Sequence, residues 1–315
     1  MMPQLFVGGS GRSGTTLMLK ALGKHPEIHS LSMEMRFLID PDGLVNLVNA
    51  LSRDYSPFQA REALYRFHRL MTVHLCQPNR RPYLGFNFPA IFGEDFYSCR
   101  LNRFLDSMKA YEFEGRSYFE YHEENPEANR PVFGARYFPD RQVLLELTAS
   151  FVDDLFSKAA EKAGKPIWCE KTPFNVLHLD FLWELFPRVP VIHIFRDPRA
   201  VILSLLQPTE YWAPDNAHDA ALFLDSFFQR WFDLKARLDF TGKHLIEIRY
   251  EDLVRSPRPT LDRLKQELDL NRDFADIPSM NVARLDAWNE QLTPDQIRQV
   301  EAVMGPTIEK LGYPL

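Results

Sequence analysis

Four short apolar runs along the chain carry the pattern of buried strands. Leu5-Phe6-Val7, Pro166-Ile167-Trp168-Cys169, Val189-Pro190-Val191-Ile192-His193-Ile194-Phe195 and His244-Leu245-Ile246-Glu247-Ile248-Arg249 are apolar and partly β-branched, as strands covered on both faces of a parallel sheet are. Helical periodicity separates them. Val176, Leu179, Leu182 and Phe186 recur at helical spacing over residues 175–186, and Asp197-Pro198 supplies an N-cap and a first-turn proline for the next helix. From Asp219 to Leu238, the residues Leu222, Phe223, Phe227, Trp231, Leu234 and Leu238 trace one broad apolar face. A final helix is punctuated by Thr293 as N-cap, Pro294, Gln296 completing a capping box, and Gly312 after the last turn. This βαβ order predicts an α/β protein with a central parallel sheet flanked by helices.

Between about residues 37 and 165 no strand alternation stands out and helical patterns dominate, with Ser56-Pro57 opening one helix and Val143 to Ala159 forming another that ends near Gly164. The segment reads as a mainly helical insertion in a single domain spanning residues 1–315. Residues 83–138 hold 15 of the chain's 41 aromatic side chains, enough either to line an acceptor pocket or to form the core of the insertion. The core is the plainer use.

Chemistry concentrates where the first strand ends. Gly8-Gly9-Ser10-Gly11-Arg12-Ser13-Gly14-Thr15-Thr16 is a glycine-rich turn that leads into a helix. Such a turn lets backbone approach an anion, and the first N–H groups of the helix point at it without partners. The spacing from Gly9 to Gly14 is that of a Walker A loop, but Thr15 stands where GxxxxGK(S/T) requires lysine, and the nearest cation is Arg12. The loop is P-loop-like, and an ordinary ATPase or kinase is disfavoured.

Composition narrows the field further. A formal charge of −6 argues against extended nucleic-acid binding, so an anionic ligand must be drawn by a local basic pocket. The three cysteines, Cys76, Cys99 and Cys169, have no CxxC spacing and suggest neither a disulfide framework nor a zinc knuckle, so no metal is expected. No run approaches the roughly 18 apolar residues of a membrane span, and a cytoplasmic location is expected.

Three blocks in order resemble the sulfotransferases that use 3′-phosphoadenosine 5′-phosphosulfate (PAPS), above all the protein-tyrosine sulfotransferases. They are Gly11-Arg12-Ser13-Gly14-Thr15-Thr16 with His25-Pro26-Glu27 and Glu34-Met35-Arg36; Cys169-Glu170-Lys171-Thr172-Pro173; and Phe195-Arg196-Asp197-Pro198-Arg199 with Ser204, followed by Arg249-Tyr250-Glu251-Asp252-Leu253. The likeness touches roughly residues 5–36 and 166–315 and leaves the insertion uncovered. It implies transfer of a sulfuryl group from PAPS to a hydroxyl acceptor by in-line displacement, releasing 3′-phosphoadenosine 5′-phosphate (PAP) without a metal.

In that reading Arg12, Ser13, Gly14, Thr15 and Thr16 grip the 5′-phosphosulfate, and Arg196 with Ser204 holds the 3′-phosphate. Tyr250 and Glu251 are mainly architectural and support the cofactor side, Lys171 and Arg12 stabilise charge on the transferring group, Glu34 takes the acceptor proton, and Arg36 contacts the acceptor. Each position also has a structural alternative: Glu34 as a cap or salt-bridge residue, Lys171 as a solvated lysine, Arg199 as a surface ion pair, His193 as a core histidine. Met33 fills the place of a second acid, and Asp286-Ala287-Trp288-Asn289 replaces the basic segment that closes over the nucleotide in relatives. The acceptor class and the oligomeric state are not encoded in these motifs. A degenerate P-loop nucleotide kinase and a non-catalytic nucleotide-binding module are the rival readings.

Overall fold

The computed structural model describes residues 4–79, 85–116, 130–207 and 212–315. Its strands are β1 (Gln4–Gly8), β2 (Ile28–Ser30), β3 (Lys109–Gly115), β4 (Arg130–Ala135), β5 (Ile167–Lys171), β6 (Pro190–Phe195) and β7 (His244–Arg249). Five of them form a parallel sheet in the order β2-β5-β1-β6-β7, and β3 pairs antiparallel with β4. By clustering of contacts the chain divides into two compact units, one built on the sheet (residues 3–34, 164–183 and 187–315) and one made largely of residues 35–163.

In the sheet unit the register fixes which strand ends lie together. Val7 lies beside Lys171, Gly8 beside His193 and Phe195 beside Arg249. The carboxyl ends of β1, β5, β6 and β7 therefore share one rim, where ligands of open α/β sheets gather. Alternation along the strands sends Leu5, Val7, Cys169, Ile192, Ile194, Ile246 and Ile248 into one buried cluster, with Met18 and Leu22 of the helix Thr15–Gly23 and Leu261 and Leu264 of the helix Pro257–Glu267. The opposite face holds Phe6 edge-on to Trp168 at 5.3 Å and His193 edge-on to Trp231 at 4.4 Å. His193 is thus a core histidine, and burial pushes its pKa down toward the neutral ring.

Most sequence-predicted elements form close to their predicted bounds. The four apolar runs are β1, β5, β6 and β7. The long amphipathic helix is Ala217–Arg237, with the Asn216 side chain accepting from the Asp219 N–H, although Leu222 faces out at 48% exposure. The capping box at Thr293 and Gln296 opens the helix Pro294–Lys310. Over 175–186 the pattern is only half right: Pro173–His178 is a 3-10 turn, and the α-helix begins at Leu179. β2 was not foreseen, because three residues are too few to show a period.

The other unit is mainly helical, but it contains an unforeseen hairpin. Along β3 the aromatic residues alternate outward, leaving Tyr111 60% and Phe113 48% exposed, so the strand lacks the apolar face that marks one in a sequence. Five aromatics of the rich stretch, Phe88, Phe92, Tyr97, Phe104 and Phe138, lie in this unit's core, while Tyr111, Phe113 and Tyr137 are exposed and Tyr83 lies outside the described residues. Phe88 packs against Phe37, Phe92 and Tyr97 at centroid distances of 5.7, 5.5 and 6.1 Å, and Phe104 stacks on Phe151 at 4.4 Å. Tyr118, Phe119 and Tyr121 lie outside the described residues. Replacing the fully buried Phe88 by alanine is expected to cost about 3–5 kcal/mol in urea unfolding; a loss under about 1 kcal/mol would contradict its place in the core.

Candidate functional site

Past β1 the chain turns tightly under the end of β6. A Cβ on Gly9 would stand 2.2 Å from the Ile194 carbonyl oxygen, so only glycine fits, and the Gly9 N–H donates to the Pro173 carbonyl at 2.6 Å. The Ser13 hydroxyl donates to the Ser10 carbonyl at 2.8 Å and closes the turn. Arg12 (φ +67°) and Gly14 (φ +104°) both take left-handed backbone. Gly14 caps the helix Thr15–Gly23, which has no side-chain cap and no acidic residue in its first turn. Its leading N–H groups are left for an anion. The Ser10 hydroxyl is buried without a hydrogen-bond partner among the described residues; the sequence places it in the glycine-rich turn but assigns it no role.

The loop reaches across the rim. Arg12 Nε donates to Ser204 Oγ at 3.0 Å, joining residues 192 apart in sequence. Ser204 lies near the end of the helix Pro198–Leu205, which begins right after β6 with the Asp197 carboxylate accepting from the Arg199 N–H. Between β6 and this helix stands Arg196. It is 8% exposed, its Nη2 donates to the Arg284 carbonyl at 2.6 Å, and its guanidinium lies 4.5 Å over the Tyr250 ring. Its Nε has no partner. Burial lowers the Arg196 pKa; Tyr250, Glu251 and Asp197 push it back up, and the nearby positive charge of Arg284 adds to the lowering.

Lys171 ends β5 at the same rim with its side chain 7% exposed. Its ammonium donates to Glu34 Oε1 at 2.6 Å and to Thr16 Oγ1 at 3.4 Å. A solvated surface lysine is therefore not what the fold presents. Around it the backbone is fixed by Glu170, a fully buried carboxylate that accepts from Thr172 Oγ1 at 2.7 Å and from Asn175 Nδ2 at 2.6 Å, while Asn175 also donates to the Val7 carbonyl. Arg36 belongs to the helical unit, where it pairs with Asp40 at 2.7 Å.

Two residues of the motif are architectural. Arg199 is buried at 4% exposure, not at the surface: it pairs with Asp197 and Glu301, donates to the Pro314 carbonyl and lies 4.1 Å over Trp288. Glu251 accepts from the Asp197 N–H at 3.2 Å and the Tyr313 hydroxyl at 2.8 Å, which ties the chain end to the Arg196 turn. Burial, and then the Glu251 charge, raise the Tyr313 pKa and keep it a donor. The architectural role expected of Glu251 is thus given its partners, and the Arg284 carbonyl is a main-chain group that no side-chain pattern shows.

Thus one rim gathers Arg12, Ser13, Gly14, Thr15, Thr16, Lys171, Glu34, Arg196, Ser204 and Tyr250. Among the described residues no cluster of His, Cys, Asp and Glu is arranged to hold a metal ion, and no helix is long and apolar enough to cross a membrane.

A model of the sulfotransferase family matches residues 89–276, including part of the segment that the motifs left uncovered. A putative protein-tyrosine sulfotransferase of Caenorhabditis briggsae is 24% identical over 200 residues, 55% of this chain and 69% of the relative. The omega-hydroxy-beta-dihydromenaquinone-9 sulfotransferase of Mycobacterium bovis is 29% identical over 157 residues, 45% of this chain and 40% of that protein. Among solved structures, the sulfotransferase domain from the Synechococcus PCC 7002 olefin synthase superposes with a TM-score of 0.54 at 19% identity, covering 99% of this chain and 95% of that one.

The loop itself offers a test. A side chain at Gly14 would need left-handed backbone, and its Cβ would meet Tyr250 Cδ2 at 2.3 Å. Gly14→Ala is therefore expected to lower stability by about 1–3 kcal/mol in urea unfolding; an unchanged midpoint would mean that the loop is built otherwise.

Proposed function

The chain belongs to the sulfotransferase family and is a transferase of sulfuryl groups, and on that premise we propose that it uses PAPS as donor, a hydroxyl group as acceptor, and the rim of β1, β5 and β6 as its site. The single observation that supports the reading is the meeting of cations and hydroxyls at these strand ends, Arg12 on Ser204 and Lys171 on Thr16 and Glu34, beside Ser10 Oγ and Arg196 Nε, two of the buried polar atoms without a partner among the described residues. Buried polar groups of this kind call for a ligand acceptor. The residues fit a nucleotide charged at both ends. Arg12, Ser13, Gly14, Thr15 and Thr16 would hold the 5′ end through backbone N–H groups, hydroxyls and a guanidinium fork, and Arg196 with Ser204 would hold the 3′-phosphate while Tyr250 fixes the guanidinium plane. A phosphate at that position separates PAPS from ATP, and the absence of lysine at Thr15 weighs against the kinase reading.

When bound, PAPS supplies an activated sulfuryl group, and PAP is the product that leaves. The protein's own groups do the rest. Lys171 offers a desolvated ammonium to the oxygens of the transferring group, where preorganised charge contributes most. Its present partner, Glu34, would be freed as that ammonium turns to the donor, and one Glu34 oxygen would take the proton of the acceptor hydroxyl as the hydroxyl oxygen bonds to sulfur and the sulfur–oxygen bond to the 5′-phosphate breaks. Holding donor and acceptor in line would contribute on the order of 7–11 kcal/mol of the barrier reduction. Arg36 is assigned to the acceptor side by the motif resemblance. The acceptor we favour is a protein hydroxyl, supported by the tyrosine-sulfotransferase relatives. A reducing, cytoplasmic setting accords with three free cysteines.

Transfer of radiolabelled sulfate from PAPS to a panel of peptide, carbohydrate and small hydroxyl acceptors tests the reading. Glu34→Gln is expected to lower kcat by about 10²–10⁴-fold with the donor KM little changed, and parental turnover in that variant would remove Glu34 as base. Lys171→Met is expected to lose about 10²–10³ in kcat; an unaltered rate would mean that the ammonium serves only to anchor Glu34.

A further inference from the structure

Away from the donor rim, the sheet unit carries a second concavity. Along β7 the side chains alternate, with Ile246 and Ile248 in the core cluster and Glu247 and Arg249 on the opposite face. There, with Phe195, Trp231, Phe232, Lys235, Asp252, Lys310 and Leu311, they line a groove of about 540 Å³, within the usual size of small-molecule sites. None of these residues belongs to the loop or to the Lys171, Arg196 and Ser204 set.

The charges in the groove are unequal. Glu247 is already compensated: burial pushes its pKa up, but the Lys235 ammonium bonded to it and the His193 ring 3.5 Å away outweigh burial and lower it to about 2. Lys310 has no ion pair among the described residues, and its ammonium stands 3.8 Å over the Phe232 ring. Arg249 likewise lacks a carboxylate. Its Nη2 donates to the Leu311 and Gly312 carbonyls at 2.8 and 3.1 Å, and its guanidinium lies over Tyr313 at 4.8 Å and Phe195 at 5.8 Å. Aromatic faces hold both cations in place without neutralising them. Lys235, Arg249 and Lys310 set against Glu247 and Asp252 leave the groove one positive charge in excess.

We propose that this groove is a second ligand site that takes an organic monoanion with a flat apolar body, such as an aryl sulfate, sulfonate or carboxylate. The anionic group would meet Lys310 and the remaining donors of Arg249, and the ring system would lie against the partly exposed Phe195 and Phe232. An inorganic anion would leave the aromatic walls wet, and a neutral arene would leave the cations unpaired. The site is independent of the donor site in composition, and it stands or falls apart from the assignment of PAPS.

Calorimetric titration with 2-naphthalenesulfonate, in the presence of saturating PAP, tests it. The native protein is expected to bind one equivalent per chain, Lys310→Met to bind at least tenfold more weakly, Lys310→Glu more weakly still, and Lys310→Arg about as well as the parent. Neutral 2-naphthol should bind at least tenfold more weakly than the sulfonate. Lys310 is exposed, so the variants should keep the parental melting temperature and sulfuryl-transfer rate. Absence of binding, equal affinity in Lys310→Met, equal affinity for 2-naphthol, or displacement of the sulfonate by PAP would each overturn the proposal.

Discussion

Two cations sunk at one end of a parallel sheet are the constraint on which the rest of the site depends. Taking an ammonium and a guanidinium out of water is costly unless each finds compensation, and the fold compensates them differently. Lys171 is offset by the Glu34 carboxylate at 2.6 Å. Arg196 is offset less directly, by a main-chain carbonyl, the face of Tyr250 and the nearby charges of Glu251 and Asp197, and its Nε has no partner among the described residues. A protein that holds a guanidinium so incompletely satisfied is preorganised for an anion, because the cost of desolvation is met in folding and not at the moment of binding. The neighbouring turn repeats the logic with backbone N–H groups and a buried serine hydroxyl.

Much of this scaffold is legible in the residue order. β1, β5, β6 and β7 announce themselves because strands buried on both faces must be apolar throughout, and helix ends announce themselves where Asp197-Pro198 and Thr293 to Gln296 meet the stereochemical demands of a first turn. What escapes is whatever lacks a period or a side-chain signal. Three residues of β2 are too short, the hairpin of β3 and β4 turns its aromatics outward, and the α-helix expected from residue 175 yields its first turns to a 3-10 stretch that lets the Pro173 carbonyl meet Gly9.

The site divides along the same line. Arg12, Lys171, Arg196 and Ser204 are named by motif order, and the fold gathers them at one rim, with Arg12 bonded to Ser204 directly. Some of their supports are invisible beforehand, since they depend on tertiary neighbours: Glu170 bracing the turn after β5 and the Arg284 carbonyl bonded to Arg196; Glu251 reads as architectural from its block, but not its partners, the Asp197 N–H and Tyr313. Arg199 shows the opposite error. Its motif position suggests a surface pair, whereas it is a buried brace between Asp197, Glu301 and Pro314, so the two arginines of the Arg-Asp-Pro-Arg block differ: Arg199 is held by carboxylates, and Arg196 keeps an Nε without a partner among the described residues.

The central claim is that Arg196 and the turn around Arg12 together recognise an adenosine phosphorylated at both its 5′ and 3′ positions. Isothermal calorimetry of the native protein with PAP and with AMP tests it most directly, since the two nucleotides differ only in the 3′-phosphate. The account predicts that PAP binds at least about a hundredfold more tightly, as expected for a buried charge-assisted contact of roughly 3 kcal/mol. Equal affinity for the two nucleotides would contradict it.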